Sequence, residues 1–278
     1  MTSDPASDFT KRFRQRYGNW ALIAGASAGL GEAFAEQIAA QGLNVVLAAR
    51  REGLLNTLRD RLVTTYRVEV RTIAIDLARE NAAAVIASEL EGVEIGLVVY
   101  NAALSVIGPF LDRPLEDHLA EIDTNCRTPM SLTYHFGKGM RARGRGGIVL
   151  MSSLSALQGS AFIANYGATK AFNMLLAEGL WEELRRDGVD VLACCAGAVS
   201  TQNYLDSLPH GSASGDAPYG AMSPRAVAAE TLRALGKEGS FFPGLSSKAA
   251  AFVMRRLLPH GLAVRVMGRV LRNLYGSR

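Results

Sequence analysis

The chain has 278 residues, 49% of them apolar, which suits one large domain or two small ones with a sizeable core. No acid follows Glu238, while Lys248, Arg255, Arg256, Arg265, Arg269, Arg272 and Arg278 do; taking these seven from the net +4 leaves −3 for the chain through Glu238. A basic tail on an acidic body argues against a nucleic-acid-binding domain, and the lack of any run of about 18 apolar residues argues against a transmembrane helix.

Residues 1–18 read as a polar helical leader. Its basic run from Lys11 to Arg16 is not followed by the apolar stretch of a signal peptide. Cys126, Cys194 and Cys195 offer neither a disulfide framework nor metal-ligand spacing, so the expected compartment is the reducing cytoplasm and no metal is expected.

From there strands and helices alternate. A short apolar strand at Asn19–Gly25 runs into the glycine-rich turn Gly25-Ala26-Ser27-Ala28-Gly29-Leu30-Gly31 and an amphipathic helix, Glu32–Ala40. A buried strand at Asn44–Ala49 ends at Arg50-Arg51, and a helix follows to Thr65. The strand Val68–Ile75 ends at Asp76-Leu77, and a helix runs to about Leu90. The strand Ile95–Tyr100 ends at Asn101-Ala102, and one long helix is expected from Leu115 to Met140. Gly147–Met151 is a strand ending at Ser152-Ser153. The helix carrying Tyr166 and Lys170 extends to about Arg186, and Val189–Cys195 is a strand ending at Ala196-Gly197. Six near-continuous apolar strands alternating with helices predict an α/β fold: a doubly wound, Rossmann-type parallel sheet covered on both faces, one domain over residues 19–245. The notable residues all fall at the carboxyl ends of strands, where such sheets bind ligands.

Three of these positions carry chemistry. A glycine turn between strand and helix brings backbone N–H groups and the helix dipole to a pyrophosphate. At the end of the second strand an acid would bind the ribose diol of NAD; Arg50 and Arg51 stand there instead, and a guanidinium suits the 2′-phosphate of NADP. Tyr166 and Lys170, four apart, share a helix face, where an ammonium favours phenolate and lowers the tyrosine pKa. Such a tyrosine can give or take a proton.

Together these residues resemble the short-chain dehydrogenase/reductase family, in its shorter-chain oxidoreductase subgroup, over about Trp20 to Thr201. The resemblance implies hydride transfer between a nicotinamide cofactor and a carbonyl or alcohol carbon of a small molecule; the two arginines point to NADP(H), with NAD(H) tolerated, and the apolar lid and tail point to a lipophilic substrate. It implies a catalytic set of Asn125, Ser153, Tyr166 and Lys170, with Ser153 placed thirteen residues before Tyr166. For the cofactor it implies Gly25, Ser27, Gly29, Leu30, Gly31, Arg50, Asp76, Leu77, Asn101, Ala102, Tyr166, Lys170 and, in the segment Gly197-Ala198-Val199-Ser200-Thr201, Gly197, Val199 and Thr201. Ser153, Ser155, Asn203 and Tyr204 are then expected to face substrate, and a homodimer or homotetramer is expected. Ala24, Ala103 and Ala196 stand where the family usually has Thr, Gly and Pro, so the tie between the first loop and the fourth strand is expected to be looser. Pro129 lacks an N–H and so frees the carbonyl of Asn125 in the long helix, which would hold a water on a proton path to Lys170.

Residues 202–222 are irregular and read as a substrate lid, with Leu205 and Leu208 also facing in. A helix capped by Ser223 with Pro224 at its first position runs to about Leu235. The extension 246–278 is amphipathic and basic, broken at Pro259 and Gly261, with Leu262, Val266, Val270 and Leu274 opposite Arg265, Arg269 and Arg272. It fits an anionic membrane surface, a partner subunit or the acidic body. The competing readings are an NADP(H)-sensing regulator of the same fold and a membrane-surface protein with little turnover.

Overall fold

The computed structural model describes residues 5–207 and 220–275, with side chains described for all of these but 5–9, 203 and 207. Seven parallel strands form one sheet in the order β3-β2-β1-β4-β5-β6-β7. They are β1 (Trp20–Ala24), β2 (Asn44–Ala49), β3 (Val70–Ala74), β4 (Ile95–Tyr100), β5 (Gly146–Ser153), β6 (Val189–Ala196) and β7 (Ser240–Phe241). Sequence-adjacent strands therefore run outward from β1 on one side and from β4 on the other. The order reverses between β1 and β4, where a crevice opens beyond the strand ends. β4 and β6 are buried at every position, which is why their sequences are continuous apolar runs rather than alternating ones.

The helices α2 (Gly29–Ala40), α3 (Glu52–Tyr66), α4 (Ala82–Glu89), α5 (Leu115–Ile122), α6 (Thr128–Arg143) and α7 (Ala164–Leu184) cover the two faces. They create two apolar clusters, one holding Phe34, Ile38, Leu55 and Leu62, the other Ile86, Leu132, Met140 and Met174. α8 (Gln202–Ser207), α9 (Pro224–Ala234), α10 (Leu245–Phe252) and α11 (His260–Tyr275) complete the chain.

Several boundaries differ from expectation. The long helix is interrupted by a π turn at Asp123–Arg127, where Thr128 N–H donates to the Asp123 carbonyl, one residue further back than in an α-helix. The first part of the expected lid is helical, as α8, and the rest, Leu208 included, lies outside the described residues. Ser223 does cap α9, its hydroxyl accepting from Ala226 N–H at 3.2 Å. In the tail, α10 ends in a second π turn at Val253–Leu257; the break falls at Leu258-Pro259, and Gly261 lies inside α11.

The leader is helix α1 (Pro5–Tyr17), and it belongs to the core. Phe13 and Tyr17 are buried with their rings edge to face at 4.7 Å. The Tyr17 hydroxyl donates to Asp190 Oδ2 at 2.9 Å, and Arg16 donates to both oxygens of the same carboxylate at 2.9 and 2.6 Å. Arg16 is 41% exposed, so its pairing counts for little in water; the buried Tyr17 hydroxyl is the costlier group to orphan. Asp190→Ala is expected to lower stability by about 2 kcal/mol and the melting temperature by about 4–8 °C. A shift below about 1 °C in a thermal melt would show that α1 is held by apolar packing alone.

Candidate active site

The site assembles at the carboxyl edge, around the crevice between β1 and β4. Gly29 opens α2, and Ala28 before it carries no side-chain oxygen to cap the first-turn N–H groups. A Cβ at Gly31 would collide with the Gly25 carbonyl, and one at Gly25 with the Ala102 backbone, so the turn is built for close backbone approach. Gly29 has φ +62°, and a Cβ there would meet the Thr201 side chain. The turn after β1 and the segment after β6 thus face each other across the crevice. A bare helix N-terminus with a glycine cradle has the shape and charge a pyrophosphate needs.

The loop after β4 is not loose. Asn101 and Ala102 N–H both donate to the Ala24 carbonyl, at 2.9 and 3.0 Å, and Asn101 Nδ2 donates to the Gly25 carbonyl at 2.9 Å. A hydroxyl at position 24 is unnecessary because the backbone makes the tie. Asp76 accepts from Ala78 N–H at 3.1 Å, and the Leu77 carbonyl accepts from Thr128 at 2.9 Å, which fixes the turn after β3. At the end of β2 it is Arg51, rather than Arg50, that reaches the glycine turn: its Nη2 and Nε donate to Ser27 Oγ at 2.9 and 3.2 Å.

On the other side of the crevice β5 and α7 present the polar set. Ser153 is close enough to the Tyr166 phenol to favour its ionised form, and Lys170 Nζ lies 5.5 Å from the centre of the Tyr166 ring. Lys170 is buried and donates to the Met151 carbonyl at 3.0 Å, while its own carbonyl accepts from Ser152 at 2.7 Å. Burial, moderated by the nearby Ser153 hydroxyl, pushes the Tyr166 phenol up to about 12, and burial pushes the Lys170 amine down to about 8. Burial is the largest influence on both groups.

Asn125 is fully buried in the π turn. Its carbonyl, freed by Pro129, is taken up by a side chain: Asn173 Nδ2 donates to it at 2.9 Å. Its side chain works elsewhere. Oδ1 accepts from Leu104 N–H at 2.9 Å, and Nδ2 donates to the Leu104 carbonyl at 2.8 Å and to Thr169 Oγ1 at 2.9 Å.

Val199 forms a parallel bridge with Met222, and Met222 N–H donates to the Ala198 carbonyl at 3.0 Å, which ties the segment after β6 to the entry of α9. Gly197 packs against Ser247, so the tail begins inside the catalytic body. Tyr204 N–H approaches Thr201 Oγ1 at 3.3 Å in α8; the side chain of Asn203 lies outside the described residues. Ser155 Oγ, both amide atoms of Gln158 and Ser160 Oγ are buried without a hydrogen-bond partner among the described residues. The sequence reading named Ser155 but not Gln158 or Ser160. The amphipathic extension was expected, but not that α11 reaches the site: its Gly268 packs against Ala161, and its Tyr275 lies close enough to Tyr166 to raise its pKa. A cavity lined by Leu90, Val93, Phe136 and Arg143 opens at the amino edge of the sheet, away from all these groups. Among the described residues no cluster of His, Cys, Asp and Glu could hold a metal ion.

The model of the short chain dehydrogenase family matches residues 19–208. The chain is 34% identical over 260 residues to a 7β-hydroxysteroid dehydrogenase of Collinsella aerofaciens, an alignment covering 94% of this chain and 99% of that one. A solved structure from work on 7β-hydroxysteroid dehydrogenase stereoselectivity superposes with a TM-score of 0.87 at 34% identity, over 92% of this chain and 98% of the other. A short-chain dehydrogenase from Sphingobium yanoikuyae in complex with NADPH superposes with a TM-score of 0.74 at 28% identity, over 83% of this chain and 90% of the other. With its parallel sheet and glycine turn in place, the chain belongs to the short-chain dehydrogenase family and is an oxidoreductase that depends on a nicotinamide cofactor.

Proposed function

We propose that the chain is an NADP(H)-dependent oxidoreductase for a bulky, lipophilic ketone or secondary alcohol, with Tyr166 as the general acid and base. The observation that carries this is the buried Lys170 amine 5.5 Å from the Tyr166 ring, with Ser153 beside the phenol, at the sheet edge that also holds the glycine cradle. The cofactor supplies or accepts the hydride. Gly25, Ser27, Gly29, Leu30 and Gly31 hold its pyrophosphate; Asp76, Leu77, Asn101 and Ala102 flank its adenosine half; Gly197, Val199 and Thr201 flank its nicotinamide. In reduction Ser153 donates a hydrogen bond to the substrate oxygen, and Tyr166 gives that oxygen its proton as the alkoxide develops. A phenol near 12 is a weak acid, so added positive charge beside it, such as oxidised nicotinamide carries, brings it toward working pH.

Arg51 beside the glycine turn and Arg50 next to it support NADP(H) over NAD(H), as does the NADPH complex of a relative. The named activity of the Collinsella relative supports a steroid-like substrate, with α11, Tyr204 and the unpaired hydroxyls of Ser155 and Ser160 facing it. The sensor alternative finds no support in relatives named as dehydrogenases.

The tail supports a surface role as well. α11 packs on the body through Ala263, Gly268, Leu271 and Tyr275, not through its apolar stripe. Leu262, Val266 and Val270 remain 47%, 44% and 50% exposed, with exposed Arg265, Arg269 and Arg272 beside them. Phe252, Val253 and Leu257 repeat the arrangement with Arg255 and Arg256. An apolar stripe edged by arginines and free of acids fits an anionic lipid surface. Leu115, Leu119, Met130, Tyr134 and Leu175, exposed on α5, α6 and α7, support self-association into a dimer or tetramer.

Tyr166→Phe is expected to lower turnover of a 7-ketosteroid or a panel ketone by about 10²–10⁴ while leaving NADPH binding intact; survival within about tenfold would remove Tyr166 from the proton transfer. Arg51→Ala, alone and with Arg50→Ala, is expected to weaken NADPH binding by about tenfold or more and leave NADH unchanged, measured by quenching of protein fluorescence. Equal wild-type affinity for NADH would overturn the preference. The full chain should pellet with phosphatidylserine vesicles and not with phosphatidylcholine alone, and the triple change Leu262→Ser, Val266→Ser, Val270→Ser should abolish it. If that variant instead only lowers the oligomeric state seen by light scattering, the stripe is covered by a second copy.

A further inference from the structure

Glu121 is fully buried, an unusual place for a carboxylate, and it lies four residues before Asn125 on the same run of helix. Two donors converge on it: Val106 N–H reaches Oε1 at 3.0 Å, and Asn165 Nδ2 reaches Oε2 at 2.6 Å. Asn165 Nδ2 also donates to the His118 carbonyl at 3.1 Å. Asn125 repeats this geometry one turn later, bonding Leu104 on one side and Thr169 on the other. The result is a ladder of two rungs. Positions 121 and 125 on one helix meet 165 and 169 on α7, and both rungs also grip the loop after β4 at Val106 and Leu104. Tyr166 and Lys170 are the next residues after the two α7 rungs.

Burial pushes the Glu121 carboxyl up, and the two N–H donors on its oxygens, with His118 and Lys170 nearby, work against that by favouring the ionised form. A buried anion needs a cation. The groups electrostatically coupled to Glu121 are His118 on its own helix, Cys126 in the π turn, and Tyr166 and Lys170 on α7. Lys170 is the buried amine among them, and its ammonium form is favoured by Cys126, Glu121, Cys194 and Cys195. The three thiols are themselves pushed up by burial, to about 11, 12 and 12, so they are neutral where the amine titrates. That leaves the Glu121 carboxylate as the countercharge.

We propose that Glu121 is a positioning residue of the active site: its buried carboxylate fastens the loop after β4 to the first turn of α7 and keeps Lys170 charged beside Tyr166. The proposal rests on the oxidoreductase reading for its effect on turnover, but its electrostatic part is open to a test without substrate. Lysine Cε NMR titration of the full chain, with the Lys170 signal assigned by Lys170→Met, reads the amine directly. A nearby carboxylate favours the ammonium and raises the pKa; removing it must lower the pKa. In Glu121→Gln the Lys170 transition is therefore expected to move to lower pH than in the wild type, where it lies near 8. An unmoved transition in a chain that melts as the wild type does would overturn the countercharge.

Asn165→Ala keeps the charge and cuts the rung. It is expected to leave the Lys170 transition in place and to lower kcat by about tenfold on whichever ketone the wild type reduces, with KM for NADPH unchanged. Full turnover in Asn165→Ala would overturn the fastening role, including where Glu121→Gln does not fold. If no ketone is turned over by the wild type, the oxidoreductase assay has failed rather than the countercharge, and the titration still decides the latter.

Discussion

The structure is organised by the need to keep one amine buried. Lys170 has almost no contact with water, yet an amine is stable there only if its polar and ionic needs are met by the protein. Three constraints follow from that single position. Its Nζ must have an acceptor, and the Met151 carbonyl at the end of β5 provides it. Its backbone must be held in register, and the Ser152 hydroxyl does this by bonding the Lys170 carbonyl. Any charge it carries must be balanced in a medium that screens poorly, the part we propose for Glu121. The first two pin α7 to β5 at the level where Ser153 meets Tyr166. The spacing of thirteen residues between Ser153 and Tyr166 is thus the sequence trace of a strand end, a turn and one helical turn locked together.

The π turn shows how a correct local argument reached a wrong partner. Pro129 does deprive the Asn125 carbonyl of its helical donor, and the helix answers by widening to an i−5 bond at Thr128. The chain then satisfies the freed carbonyl with Asn173, forty-eight residues away, as buried carbonyls demand. Water is the default partner only when no side chain is within reach. That Asn173 sits one turn past Lys170's neighbour Thr169 could not be inferred from a helix boundary alone, since it depends on how α6 and α7 cross.

Legibility in the sequence follows the range of the cause. The parallel sheet was readable because each buried strand, such as Val189–Ala196, is a local apolar run with a local punctuation. The glycine turn and the Tyr166–Lys170 pair were readable because both are short-range patterns at strand ends. The role of Arg51 rather than Arg50 was not, because it turns on which of two adjacent side chains points toward Ser27. Glu121 was invisible for another reason: on a helix wheel a carboxylate reads as solvated face, and only the convergence of Val106 and Asn165 makes burial tolerable. The leader looked like a polar preamble, yet its buried Phe13 and Tyr17, with Asp190 at the start of β6, make it part of the core. β7 is two residues long and has too little pattern to announce itself.

α11 joins the site to the outside. Its helix has three sectors rather than two: small and aromatic residues toward the body, an apolar stripe outward, and arginines beside that stripe. A helix with two faces can bury its apolar stripe and be finished; this one spends Ala263, Gly268 and Leu271 on packing and leaves Leu262, Val266 and Val270 in water. Leaving three branched apolar residues exposed costs about 1 kcal/mol each or more relative to burial, so the arrangement makes physical sense where something covers them. The same helix brings Tyr275 toward Tyr166 and Gly268 against Ala161, beside the buried unpaired Ser160. Whatever covers the outer stripe therefore presses on the helix that packs against Ala161 and approaches Tyr166, so the covering surface and the site are joined through one rigid element.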